Sequence, residues 1–278
     1  MRVPHGDAGN EPDRKHQRED RDGNGDGGSA YQARRPSAPR PEEAELDRVE
    51  PGDVSEHDRA RWSPIRRGYA PVVSTRSLLT FLGHSTVLLD LSGVRLLTDP
   101  LLTDRLGILH RHSRSLRDAF GDLGVDAVLI SHAHHDHLHL PSLRLVPGRP
   151  QIVLPRGLRA LMPSGREIHE VDPGQGVSIG AVRVTALAAR HQVRRHPFAP
   201  LSPALGFLVA SESTRIYFAG DTDLFPEMSD LAGKVDVALL PVWGWGPRLG
   251  VGHLDPERAA EAVRRIRPRV AIPIHWGT

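Results

Sequence analysis

The residues with the clearest chemical potential are histidines, five of which fall between positions 132 and 139. The segment reads SHAHHDHLH, from Ser131 to His139, and it follows an apolar run that ends at Ile130. In a tight loop, the side chains at positions 132, 134, 136 and 137 can converge on a small volume. Imidazole nitrogens and carboxylate oxygens are ligands for zinc, manganese and iron. The spacing therefore predicts a metal site, and a chance histidine-rich stretch is the alternative.

A metal ion also solves an electrostatic problem in such a segment. Several neighbouring imidazoles repel one another if they are protonated together, whereas a metal requires them in the neutral form. The chain has no cysteine, so disulfides, thiolate nucleophiles and cysteine-held zinc are excluded. Any metal must be held by histidines and carboxylates.

Charge and hydropathy narrow the class of protein. The 278 residues include 36 Lys and Arg against 34 Asp and Glu, a formal net charge of +2. The basic residues are scattered rather than arranged in a stripe, so no nucleic-acid partner is expected. No apolar run is long enough to span a bilayer, and the first residues do not resemble a signal peptide. We therefore expect a cytoplasmic protein.

The elements that would position these residues begin near Leu78. Residues 1–74 are rich in Arg, Asp, Glu, Gly and Pro, and we expect a disordered, low-complexity tail there. Residues 75–278 alternate between short apolar runs and helical segments and predict a folded domain. The predicted strands are 78–91, 94–100, 126–130, 151–154, a hairpin over 177–187 that turns at Gly180, 206–210, 215–219, 235–240 and 270–274. The predicted helices are 115–120, 140–145, 156–162, 224–232 and 255–266. Several histidines and aspartates fall just after strand ends, where layered proteins tend to build their sites.

The pattern HxHxDH at 132–137 resembles the signature of the metallo-β-lactamase superfamily. Four further motifs resemble the remaining motifs of that superfamily in the same order. They are LLTDP around Asp99, ALAARH ending at His191, FAGDTD around Asp221 and IPIHWGT around His275. The resemblance covers about residues 78–278 and implies that residues 75–278 form the catalytic domain. It implies an α+β fold, a four-layer αβ/βα sandwich in which two mixed β-sheets are flanked by helices.

The resemblance also implies a ligand set for two divalent metal ions. His132, His134 and His191 would bind the first ion, Asp136, His137 and His275 would bind the second, and Asp221 would bridge both. Zinc is the expected metal, with manganese or iron as alternatives. A single ion is a further alternative, because His275 lies three residues before the end of the sequence. A hydroxide bound to the metals would attack the substrate, so no protein nucleophile would be needed.

Two residues are predicted to act in catalysis. Asp136 would orient the attacking water in addition to binding metal. His253 would donate a proton to a leaving group or hold a phosphate, and a helix-capping role is the alternative. The loop that carries Trp243, Trp245 and Arg248 would form a pocket wall for a substrate with apolar and anionic parts, or the tryptophans would simply pack.

Four residues near the motifs have open interpretations. Asp99 would hydrogen-bond a ligating histidine, or else cap the turn before Pro100. His84 would lie near the site or serve in packing. His135 and His139 alternate with the ligand positions, so we expect them to point away.

Finer motif matches point to one branch of the superfamily. LGHSTVLLDL, GHLDPERAAEAV and PIHWGT resemble the branch with ascorbate-6-phosphate lactonase-like enzymes and N-acyl-phosphatidylethanolamine phospholipase D-like hydrolases. We therefore expect a metal-dependent hydrolase that cleaves a phosphodiester or a lactone or ester bond of a small molecule or lipid headgroup. The alternatives are a non-hydrolytic metal-binding relative, structural or sensory, and a nuclease of the same superfamily. A homo-oligomer is left open.

Overall fold

The structure, a computed structural model, describes residues 77–111, 124–196, 198, 201–244 and 249–276. The predicted disordered tail over 1–74 and the predicted helix over 115–120 lie outside the described residues. So do Trp245 and Arg248 of the predicted pocket wall.

Strands dominate the described part of the chain. In chain order they are β1 (Leu78–Gly83), β2 (Thr86–Leu91), β3 (Val94–Thr98), β4 (Arg105–Leu106), β5 (Leu109–His110), β6 (Ala127–Leu129), β7 (Gln151–Pro155), β8 (Ile168–Val171), β9 (Gly176–Ile179), β10 (Val182–Ala188), β11 (Leu205–Ala210), β12 (Arg215–Phe218), β13 (Val237–Pro241) and β14 (Val270–Ile274). Two α-helices are described, α1 (Leu140–Leu145) and α2 (Pro256–Ile266), with 3₁₀ turns at Arg159–Leu161 and Pro226–Leu231. None of these helices has the length and apolar character needed to cross a membrane.

The strands form two mixed six-stranded sheets, as predicted. The first has the order β1-β2-β3-β6-β7-β8, with β1 to β3 antiparallel and the later neighbours parallel. The second has the order β14-β13-β12-β11-β10-β9, with β9 to β12 antiparallel and β12 to β14 parallel. A small separate hairpin joins β4 and β5.

The core explains why these sequences form a layered sandwich. Side chains alternate between the two faces of a strand, and β12 shows the consequence: Ile216 and Phe218 pack between the sheets, whereas Tyr217 packs on the outer face. The outer cluster of the second sheet includes Ala259, Ala262 and Ile266 of α2. Leu143 of α1 packs in the corresponding cluster on the first sheet. The described residues therefore form three buried apolar clusters, one between the sheets and one under each helical layer.

Helix α2 begins where the sequence predicts. The Asp255 side chain caps it by accepting a hydrogen bond from the backbone N–H of Arg258 at 2.7 Å, and Pro256 opens the first turn. Its buried face carries Ala259, Ala262 and Ile266, whereas Ala260 is exposed.

The first predicted strand is in fact two strands. Residues 78–91 break between β1 and β2 because His84 has a left-handed backbone with φ of 55°. An L-residue in that conformation cannot continue a strand. The predicted helices over 156–162 and 224–232 are short 3₁₀ turns, and β8 and the β4–β5 hairpin were missed.

The sheets place chemically active residues at one kind of position. Asp99 follows β3, the histidine-rich segment follows β6, His191 follows β10, Asp221 follows β12 and His275 follows β14. Because β10, β12, β13 and β14 run in the same direction, the residues after them emerge at the same edge of the second sheet.

Candidate metal centre

All seven predicted metal ligands come together in one cluster at the ends of these strands. One group holds His132, His134, His191 and Asp221, and a second holds His84, Asp136, His137 and His275. Within each group the candidate ligand atoms lie within 4.8 Å of one another. The grouping follows the predicted division into two ions, with His84 as an added member. That these side chains bind metal stays a prediction.

The ring nitrogens in the first group face one another at close range. Nδ1 of His134 lies 3.0 Å from Nε2 of His132 and 3.1 Å from Nε2 of His191. Two nitrogens bound to one zinc at a tetrahedral angle are about 3.4 Å apart. In the second group, Nε2 of His137 lies 3.2 Å from Nε2 of His275. Both groups therefore have the spacing of donors that point at a shared cation.

The buried carboxylate of Asp221 lies between the two groups. Its Oδ2 is 3.8 Å from Nε2 of His132 and 3.1 Å from Nε2 of His137, and its Oδ1 is 3.3 Å from Nε2 of His275. Oδ1 is fully buried and accepts no hydrogen bond from the described residues. A buried carboxylate oxygen in that condition is costly unless a cation lies beside it. The donor set therefore fits divalent ions.

The outer ring nitrogens fix the tautomers of these histidines. Nδ1 of His191 donates to the carbonyl oxygen of Gly252 at 2.9 Å, and Nδ1 of His275 donates to that of Trp243 at 2.5 Å. A carbonyl oxygen can only accept, so Nδ1 carries the proton in a neutral ring. The lone pair of Nε2 then faces the cluster in both residues, which is the orientation that a metal ligand requires.

Asp99 holds a ring of the histidine-rich segment, that of His137, in a fixed orientation in the same way. It is fully buried, and its Oδ2 accepts from Nδ1 of His137 at 2.7 Å and from Oγ of Ser131 at 2.5 Å. Its Oδ1 accepts from the backbone N–H of Ser131 at 2.7 Å. Ser131 Oγ also lies 2.9 Å from Nδ1 of His132. The structure therefore supports the first of the two roles considered for Asp99, a hydrogen bond to a histidine that is a predicted metal ligand.

Replacing Asp99 with asparagine should weaken metal binding without removing any ligand. The amide cannot accept all three hydrogen bonds, so the orientation of His137 is lost, and we expect the affinity for the second ion to fall by roughly 10–100-fold. Competition with a chromogenic chelator measures this. Asp90→Asn is the matched control, because Asp90 pairs with Arg95 on the sheet surface at 3.1 Å. Parent-like affinity for both ions in Asp99→Asn would refute this role.

Burial and charge together set the protonation states. Burial lowers the pKa of His132 well below its usual value and that of His191 to about 4. Burial alone would raise the pKa of Asp136 and of Asp221, but the surrounding histidines, His137 foremost, hold both well below their usual range. Against the effect of its own burial, the carboxylates of Asp221, Asp136 and Asp99 raise the pKa of His137 well above normal. Most of the cluster is therefore neutral imidazole beside ionised carboxylate, the form that binds metal.

The structure also shows where His84 and His253 lie. His84 belongs to the cluster, with Nε2 3.1 Å from Oδ2 of Asp136. His253 has Nε2 3.3 Å from Oδ2 of Asp221 and Nδ1 3.1 Å from the carbonyl oxygen of Gly250. The capping alternative for His253 is wrong, because Asp255 caps the helix.

His135 and His139 were expected to point away from the ligands, and neither belongs to a ligand group: His135 is exposed, and Nδ1 of His139 lies 2.7 Å from Oγ of Ser142. Both line a cavity of about 890 Å³ together with His134, Asp136 and Asp221. The segment forms the expected tight turn, because the backbone N–H groups of His137 and Leu138 both bond back to the carbonyl of His134. Arg195 lies in the same wall and was not singled out by the sequence.

Comparison with known proteins agrees with this geometry. The family model described as a beta-lactamase superfamily domain matches residues 94–276. The chain is 31% identical over 228 residues to the N-acyl-phosphatidylethanolamine-hydrolyzing phospholipase D 1 of Caenorhabditis elegans, covering 72% of this chain and 63%, less than two thirds, of that protein. It is 34% identical over 212 residues to a metal-dependent hydrolase of Opitutus terrae, covering 72% of this chain and 85% of the relative.

A solved structure extends the likeness to three dimensions. The metallo hydrolase from the archaeon Ignicoccus hospitalis superposes with a TM-score of 0.57 at 25% identity, covering 72% of this chain and 82% of that one. The family match includes the strand ends that carry Asp99, Asp221 and His275. The chain belongs to the metallo-β-lactamase superfamily and is by family a metal-dependent hydrolase.

Proposed function

We propose that the chain holds two divalent ions and hydrolyses an ester, lactone or phosphodiester bond of a small molecule or lipid-derived substrate. The ligands assigned to them are His132, His134 and His191 for one ion, Asp136, His137 and His275 for the other, and Asp221 for both. The observation that carries the proposal is the position of Asp221, buried between histidines of both groups and with one oxygen that accepts no hydrogen bond from the described residues.

Two ions bound there would lower the pKa of a water and polarise the electrophilic atom of the substrate. Zinc is the metal that we propose, because imidazole and carboxylate donors in groups of four suit it, and manganese or iron would accept the same donors. No cysteine is available as a nucleophile, which agrees with direct attack by water.

The residues of the chain contribute orientation and proton handling. Asp136 accepts from Nε2 of His84 at 3.1 Å, which leaves its carboxylate fixed at the cavity wall, where we propose that it aligns the attacking water. Both ring nitrogens of His253 face acceptors, the carbonyl of Gly250 and the carboxylate of Asp221. This arrangement suits a ring that carries a proton at Nε2 and delivers it to a leaving oxygen.

The cavity supports a substrate with an apolar part. Its wall includes Leu106, Ile108, Leu140 and Pro141 in addition to the residues of the cluster. A volume of about 890 Å³ accommodates a drug-sized molecule or a section of a lipid. The relative from Caenorhabditis elegans is named as a phospholipase D, and this supports a phosphodiester among the substrates to be tested.

Metal removal tests the proposal. The full chain should contain about two transition-metal ions by elemental analysis and should hydrolyse at least one member of a panel of 4-nitrophenyl esters, lactones and bis(4-nitrophenyl) phosphate. Dialysis against a chelator should abolish turnover, and zinc or manganese should restore it, because the attacking water depends on the ions. Two ions without turnover on any class would instead indicate a non-hydrolytic metal-binding protein, and a chain that binds no added ion would reject the site altogether.

A further inference from the structure

Arg195 is a half-buried cation that lines the cavity over the metal cluster. Its Nη1 donates to the carbonyl oxygens of Ala133 at 2.7 Å and Leu138 at 3.1 Å. These two carbonyls flank the segment 134–137, which carries three of the proposed ligands. The guanidinium is therefore held in a fixed position relative to the metal centre by the backbone of the metal-binding loop.

The anchoring leaves one edge of the guanidinium available. An arginine side chain has five N–H donors, and the two bonds to the loop use only those on Nη1. Nε and Nη2 have no hydrogen-bond partner among the residues that the structure describes. Together they form the edge that binds a carboxylate or phosphate with two parallel hydrogen bonds.

The charge of Arg195 is also uncompensated within the described part of the chain. Burial lowers its pKa, and no nearby carboxylate opposes that effect. By contrast, Arg156 pairs with Asp172 at 2.7 Å and Arg159 pairs with Glu170 at 3.4 Å. A half-buried cation without a counterion carries a desolvation cost that a bound anion would offset.

The rest of the cavity determines what kind of anion can reach this residue. The two carboxylates in its wall, those of Asp136 and Asp221, lie among the histidines of the metal cluster. The surfaces that complete the wall are largely apolar, with Leu106, Ile108 and Leu140. A ligand that fills this space must therefore combine an apolar section with an acidic group.

We propose that Arg195 binds a second anionic group of the substrate, a carboxylate or phosphate separated by an apolar spacer from the bond that is cleaved. The inference depends on the proposed function for the identity of the reacting centre. It adds the substrate class: an amphipathic ester or phosphodiester that keeps an acidic group remote from the scissile bond.

A binding experiment tests this without turnover. The zinc-loaded full chain is titrated by calorimetry with saturated dicarboxylates of four to ten carbons and with the monocarboxylates of equal length. One carboxylate of either ligand can bind at the metal centre, but only the dicarboxylate can also reach Arg195. At the best-fitting length, we expect the dicarboxylate to bind about tenfold or more tightly, as is typical of a hydrogen bond to a charged group.

Variants of Arg195 test whether its guanidinium causes the preference for the dicarboxylate. Arg195→Gln should lose the preference for the dicarboxylate, and Arg195→Lys should keep part of it, because the charge remains without the two-donor edge. Arg144→Gln is the matched control, since Arg144 is exposed on α1 and does not line the cavity. Metal content and monocarboxylate affinity should stay within about threefold of the parent in Arg144→Gln, and both are also measured in the two Arg195 variants, which separates anion binding from the support of the loop.

Each outcome decides a different point. A parent chain that binds both ligand series equally at every length overturns the proposal, as does an Arg195→Gln variant that keeps the preference. A chain that prefers dicarboxylates but hydrolyses nothing retains the anion site and loses the proposed hydrolytic function. If neither series binds the zinc-loaded chain, this inference fails, whereas the proposed hydrolytic function is decided separately by metal content and by turnover on the substrate panel.

Discussion

Asp221→Ala is expected to lower the metal content of the purified chain from about two ions to one or none and to reduce turnover by at least about a thousandfold. The reason is geometric. Its two carboxylate oxygens are 3.1 to 3.8 Å from Nε2 atoms of His132, His137 and His275, which belong to both ligand groups. Without it, each proposed ion loses its only shared ligand, and the charge that balances two cations at close range disappears.

Electrostatics strengthens the expectation. The carboxylate of Asp221 is foremost among the groups that raise the pKa of His137. The same negative charge that favours a protonated His137 in the metal-free chain would favour a cation in that place. The alanine variant removes this attraction for either positive species, so added zinc should not restore the parent stoichiometry.

The matched control is Asp230→Ala, which removes an exposed carboxylate from the same region of the chain. Elemental analysis and turnover of this variant should equal those of the parent. Circular dichroism of both variants checks that the two sheets are intact. An Asp221→Ala chain that still binds two ions would show that the bridging assignment is wrong.

Much of the fold could be predicted because its strands are short apolar runs bounded by turn residues. The hairpin at Gly180, β11, β12 and the final strand were located within a few residues of their bounds. The errors share a physical cause. His84 has apolar runs on both sides and separates them by adopting a positive φ. Its residue type does not predict that conformation. Strand β8, IHEV, has polar residues in its centre and lies at the edge of its sheet, so periodicity alone does not reveal it.

The residues of the site were also predicted only in part. The family resemblance carried by the histidine-rich segment and the later motifs led to seven of the eight residues in the two groups, and His84 had been left open between a place near the site and packing. The hydrogen bond between Asp99 and a histidine of the ligand set was also predicted. Arg195 was missed because it is distinguished by its bonds to two backbone carbonyls and by having no acidic partner among the described residues. Neither feature is visible in the sequence RHQVRRH.

Gly220→Ala is the second substitution with a large expected effect, because Gly220 joins two parts of the site. It directly precedes Asp221, has φ of +59°, and an added Cβ would lie 2.6 Å from Cβ of Ser131 and 3.0 Å from the carbonyl oxygen of Leu205. Ser131 directly precedes His132, and its carbonyl accepts a hydrogen bond from the backbone N–H of Leu205 at 2.9 Å. The glycine is therefore required where the segments that carry ligands from both sheets approach most closely.

Gly233→Ala separates backbone strain from this crowding. Gly233 has φ of +73°, but nothing lies within 4 Å of an added Cβ. Its substitution should lower the free energy of unfolding by about 1–2 kcal/mol, the cost of a left-handed L-residue. Gly220→Ala has that cost and, in addition, roughly 1–3 kcal/mol of overpacking. Urea unfolding of the two metal-free variants measures the difference.

Metal binding gives the sharper comparison of the two glycine variants. In Gly220→Ala the backbone must move to relieve the 2.6 Å contact, and any such movement displaces Asp221 relative to His132. We therefore expect Gly220→Ala to lose affinity for zinc by about tenfold or more, as displaced support around a metal site typically does, whereas Gly233→Ala should bind zinc like the parent. Equal losses of stability and unchanged zinc affinity in both variants would mean that Ser131 yields without moving the ligands, and that the metal centre tolerates more freedom at this junction than its close packing implies.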